Sequence, residues 1–122
     1  MNKLQEILNF DVIENEEIKL LFNKAEDYMN RKEYINALAY CDNILTISDN
    51  IDDFSIQYKA YMGLYLIWFE YCRELKQDSL MLGDFFRNVL YYGKKYAPKE
   101  ELDKYINIFE ENSKTLKTII NE

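Results

Sequence analysis

The sequence predicts an all-α fold of five to six antiparallel helices, forming one domain over residues 1–122. Three observations predict it. Apolar residues recur at three- and four-residue spacing along nearly the whole chain, and no segment alternates as a half-buried strand does. The chain holds only three glycines and one proline, too few for the many tight turns of a sandwich or barrel. The breaks between periodic segments are short and polar, and helices joined by so few residues run antiparallel and pack on each other.

The elements follow in order. Residues 2–10 place Leu4, Ile7 and Leu8 on one face of a short amphipathic helix. Asp11 to Asn15 form a break. Asn15 caps a second helix, with Glu16 and Glu17 in the first turn, where the helix dipole favours anions. Ile18, Leu21, Phe22, Ala25 and Met29 form its apolar face, with Tyr28 alongside. Asn30, Arg31 and Lys32 connect it to a third helix from Glu33 to about Ser48, whose buried side carries Tyr34, Ala37, Leu38, Cys41, Ile44 and Leu45.

Ser48 to Asp52 are a loop, and Asp52 is placed as the N-cap of a fourth helix running to about Leu75. Its residues 60–72 are apolar nearly all round, which marks a central helix contacted on several sides. Lys76 to Asp78 break the chain, with Asp78 as a cap. A fifth helix spans about 79–96 with Leu82, Phe85, Phe86, Val89, Leu90 and Tyr92 inward. Pro98 suits the first position of a sixth helix. That helix carries Leu102, Tyr105, Ile106, Phe109, Leu116 and Ile120 and is expected to fray after Asn112.

Composition excludes several functions. A net charge of −7 argues against binding nucleic acid backbones, which need Lys and Arg to neutralise phosphates, and against anionic membrane surfaces. Residues 60–72 are too short to span a bilayer and contain Glu70, and the N-terminal residues lack the apolar core of a signal peptide, so a cytoplasmic protein is expected. The chain has no histidine, which removes the commonest metal ligand and the usual general base. Cys41 and Cys72 sit in helical patterns as buried free thiols. With no phosphate loop, nucleophile elbow or metal-ligand cluster, no enzyme, metal or cofactor is expected.

Residues 18–49 resemble a tetratricopeptide repeat. Leu21, Ala25 and Tyr28 match the first-helix pattern of a large apolar residue, a small one and a tyrosine. Lys32-Glu33-Tyr34-Ile35-Asn36-Ala37-Leu38 is similar to the opening of the second helix, with Ala37 at its small position. Small residues there let the two helices approach closely. Lys24, Cys41, Ile44 and Asp49 depart from the pattern. Ala60 follows Ala25 by 35 residues, near the family period of about 34, and Phe86, Leu90, Gly93 and Pro98 fit a closing second helix. The interval from Ala60 to Phe86 exceeds the family spacing of about 12 residues by about 14, so this second unit has longer helices in a shifted register.

The resemblance implies a protein-protein interaction module, a small adaptor or scaffold that takes a protein or peptide partner on a concave face lined by first helices. Carried over by position, Lys19, Phe22, Glu26 and Met29 line that face, with Tyr61 and Tyr65 from the second unit. Phe22 and Glu26 stand where family members that grip a peptide carboxylate carry Lys and Asn. Self-association into a homodimer through the apolar face is the other use of such a surface. The excess of acid offers a reading of another class, an inhibitor or immunity-type protein that blocks a basic partner. Asp11, Glu14, Glu16, Glu17, Glu26 and Asp27 are its candidates, although a solvated helix start and face is the commoner account of such residues.

Eleven tyrosines are the most unusual feature. Tyr58, Tyr61 and Tyr65 recur on the fourth helix opposite Tyr91 and Tyr92, as an aromatic groove or, more commonly, as the edge of a core. Asp49, Asn50, Asp52 and Asp53 lack calcium-loop spacing and read as capping residues. Lys94, Lys95 and Lys99 lie where a helix C-terminus attracts cations.

Overall fold

The computed structural model describes residues 3–122, and every regular element among them is helical. The helices are α1 (Lys3–Leu8), α2 (Glu16–Asn30), α3 (Tyr34–Asn50), α4 (Gln57–Leu75), α5 (Leu80–Tyr96) and α6 (Lys99–Ile120). Single 3₁₀ turns at Phe10–Val12 and Phe54–Ile56 lie in the two longer breaks. Asn2, in the helix expected over 2–10, lies outside the described residues.

Local chemistry starts α2 and α5. The Asn15 side chain accepts the Ile18 N–H at 3.0 Å. Ser79, not the expected Asp78, caps α5: its hydroxyl oxygen accepts the Met81 N–H at 3.1 Å, while Asp78 accepts the N–H of Ser79 at 2.7 Å. Ser79 also fixes the spine, because the Trp68 indole N–H donates to the same hydroxyl at 2.8 Å.

Three helices end in the same closure without a glycine. Lys32, Asp52 and Lys76 each adopt left-handed backbone, with φ of 61°, 54° and 55°. After each, the next N–H reaches back to a carbonyl of the last turn: Glu33 to Tyr28 at 2.9 Å, Asp53 to Ser48 at 2.9 Å and Gln77 to Cys72 at 3.1 Å. Such a reverse bond satisfies a carbonyl left open at a helix end. Asp52 therefore closes α3 and does not cap α4, which corrects the sequence expectation. The reason is that α3 runs on to Asn50 and a 3₁₀ turn fills the space before Gln57.

Helices α2 and α3 pack as one hairpin and α4 and α5 as the next, with α3 also against α4 and α6 against α4 and α5. The spine expectation for α4 holds: Tyr58, Ala60, every residue from Met62 to Ile67, Phe69 and Cys72 are buried, which takes in all sides of the helix. The expected fraying of α6 after Asn112 is not seen. Leu116 is buried, and that contact carries the helix on to Ile120. No described helix is long and apolar enough to cross a membrane.

Candidate functional site

Helix α1 has six residues, too few to persist alone in water, so its shape is imposed by what surrounds it. It lies against both α2 and α4, the first helices of the two hairpins. Leu4, Leu8 and the following Phe10 are fully buried. Phe10 stacks flat on Phe22 of α2, with ring centroids 5.2 Å apart and 8° between planes.

Polar groups from other helices hold both ends of α1. At its N-terminus the Glu26 carboxylate accepts the Gln5 backbone N–H at 3.0 Å. At its C-terminus the Lys59 ammonium donates to the Leu8 carbonyl at 2.6 Å, and Lys104 to that of Glu6 at 3.2 Å. A carboxylate thus meets the positive end of the helix dipole and two ammoniums meet the negative end. Lys3 adds an ion pair with the buried Glu70, which Arg73 also contacts at 2.6 Å.

Lys59 is shared. It also pairs with Glu101 of α6 at 3.0 Å, and that carboxylate accepts the hydroxyls of Tyr105 at 2.7 Å and Tyr58 at 3.1 Å. Burial raises the Glu101 pKa, but the bond from Tyr105 and the bond and charge of Lys59 outweigh it and hold the carboxyl below its ordinary value. Burial pushes both tyrosine phenols up, and the Glu101 charge adds to this. Glu26 shows the opposite balance: burial raises its pKa, and the backbone N–H groups of Gln5 and Leu4 only partly offset it.

The concave face expected from the sequence is therefore filled by the chain's own residues. Phe22 lies under Phe10, Glu26 caps α1, and Met29 is buried. Lys19 is half-buried and pairs with Glu16 at 3.3 Å. Tyr61 does not join these residues: it stacks on Tyr92 of α5 at 5.8 Å, near Asp49 and Asp42 of α3. Tyr65 is buried among Phe69, Phe86 and Phe109. Phe22, Glu26, Met29 and Tyr65 are buried and do not line an open groove while α1 lies over α2 and α4. The tyrosines of α4 form a core and its edge.

Lys59, Glu70, Glu101 and Lys104 were missed as site residues. Glu70 carried a signal, being a charge set in the apolar stretch 60–72, with Lys59 at its border; Glu101 and Lys104 carried none. Among the described residues no cluster of His, Cys, Asp and Glu could hold a metal ion. Asp49 instead accepts the Gln57 amide and Asp53 the Ser55 hydroxyl at 2.5 Å. Lys95 donates to the Tyr91 hydroxyl at 3.0 Å, and Lys99 pairs with Asp103 at 3.1 Å. Cys41 and Cys72 are free and buried.

The chain matches no protein-family model, no curated protein and no solved structure.

Proposed function

We propose that the protein is an interaction module whose α2–α4 groove binds a short amphipathic helix of a protein partner, and that α1 occupies this groove until the partner displaces it. The observation that carries the reading is the grip on α1 at both ends by Glu26, Lys59 and Lys104. Burial of Leu4, Leu8 and Phe10 seats the segment, and charged side chains of α2, α4 and α6 satisfy the backbone at its ends. Charged groups at both termini are the chemistry that recognises a helix as a helix.

The partner would present large apolar residues four apart on its helix and an aromatic residue in the turn that follows, as Leu4, Leu8 and Phe10 do. Phe22 and Glu26 are then contact residues, Lys19 and Met29 flank them, and Tyr61 and Tyr65 anchor α4 to α5 and α6 on its other sides. The reading assigns the chain no reaction. Two buried free thiols fit a reducing compartment, which favours the cytoplasm.

The test is a labelled peptide of residues 3–13 titrated into the full chain, wild type and Leu8→Ala/Phe10→Ala. The double variant weakens the internal occupant and is expected to bind the peptide at least about tenfold more tightly than wild type, a difference of about 1.4 kcal/mol. Adding Glu26→Ala should reverse the gain. Equal binding to both chains, or none to a variant that keeps its helix content, overturns the reading. The acidic-antagonist alternative makes a separate prediction, a basic partner released by moderate salt.

A further inference from the structure

Among the described residues Glu26 and Glu70 are the buried carboxylates, and both face α1. Glu70 sits within the apolar part of α4 with 11% of its side chain exposed. A carboxylate so far out of water needs donors for its oxygens. Glu70 has two. Arg73, three residues on in the same helix, donates to Oε2 at 2.6 Å. Lys3, the first residue of α1, donates to Oε1. The Arg73 bond is internal to α4 and does not depend on α1. The Lys3 bond exists only while α1 is seated.

Lys3 stands where a helix does not favour a cation. The first turn is the positive end of the dipole, and acids are preferred there. Helix preference therefore gives no reason for a lysine at this place, whereas Glu70 does. The other charges beside this contact are matched to each other, with Lys32 on Glu74 at 3.0 Å. An occupant with an apolar residue in place of Lys3 would cover Glu70 Oε1 and bring it no donor. An unmet buried charge costs more than a lost attraction, and such penalties discriminate between partners that bury similar apolar surface.

We propose that Glu70 is a specificity-determining residue of the α2–α4 groove, and that the partner helix carries a lysine or arginine directly before its first apolar anchor, as Lys3 precedes Leu4. This assignment rests on the groove being a partner site, and it adds the chemistry by which one amphipathic helix is preferred to another.

Two peptides test it: residues 3–13 and the same peptide with Lys3→Met, both acetylated so that no terminal charge stands beside position 3. Each is titrated into the full Leu8→Ala/Phe10→Ala chain, with and without Glu70→Gln. Comparing two peptides on one chain cancels any change in how firmly that chain holds its own α1. With Glu70 present, the lysine peptide is expected to bind about tenfold more tightly than the methionine peptide, the scale of one hydrogen bond to a charged group. A Lys3→Arg peptide should keep most of that advantage. Glu70→Gln should remove it, and Glu70→Met serves if the glutamine variant loses helix content. Equal binding of the lysine and methionine peptides to the Glu70 chain overturns the proposal and leaves the groove reading standing. So does a preference that survives the loss of the Glu70 charge. Binding of neither peptide to a chain that keeps its helix content overturns both.

Discussion

Glu26 of α2 caps α1, its carboxylate oxygen 3.0 Å from the Gln5 backbone nitrogen. A residue 21 positions along the chain thus does what the residue just before a helix usually does. Replacing it with alanine is expected to cost about 1 kcal/mol, the usual loss for a removed cap. The loss should be local. Amide hydrogen exchange would speed up in residues 4–8 and stay unchanged in the centre of α4; equal acceleration in both would mean that Glu26 supports the whole fold.

Glu101 should make stability fall in acid. Its folded pKa lies below the ordinary 4.5, so the unfolded chain takes up the proton first. Its stabilisation is complete above 4.5 and lost as pH falls through the lower folded value. Glu101→Gln is expected to be less stable than wild type by about 2 kcal/mol at neutral pH, the scale of hydrogen bonds to a charged group. Denaturant titrations across the acid range would show the gap closing below pH 4.5. Glu26 has the opposite sign: burial raises its folded pKa, so the protonation-linked part of its contribution is present below 4.5 and is lost as pH rises through the raised value, leaving the cap itself.

Lys76 closes α4 with φ at 55°, a backbone region that places Cβ near a carbonyl oxygen. Lys76→Gly removes that contact and keeps the Gln77 N–H bond to Cys72. It should stabilise the protein by about 1 kcal/mol, read as a higher melting temperature. A lower one would show that the lysine side chain contributes more than its backbone costs.

The two glycines of α5 should respond differently to alanine. Gly83→Ala adds a methyl group in open space and is expected to gain about 1 kcal/mol from helix propensity alone. Gly93→Ala gains the same propensity, but Leu102 must turn aside first, so its midpoint should rise less or fall. Equal shifts would mean that the helices part as readily at Gly93 as at Gly83.

Some of this molecule is legible in its sequence. Helical periodicity gave the class, the central place of α4 and the inward faces of α2, α3 and α5, because a residue's side of a helix depends only on its spacing from its neighbours. Asn15 as a cap was legible for the same reason, since its bond to Ile18 spans three residues. Tertiary structure decided the rest. It made six residues of α1 a helix, gave left-handed closures to Lys32, Asp52 and Lys76 where a sequence pattern looks for glycine, and carried α6 past Asn112 to bury Leu116. It also filled the groove of α2 and α4 with the chain's own N-terminal segment. Phe10 on Phe22 and Lys59 between Leu8 and Glu101 join residues far apart in the chain. The energy of such contacts depends on where folding brings the partners, and spacing along a single helix does not encode that.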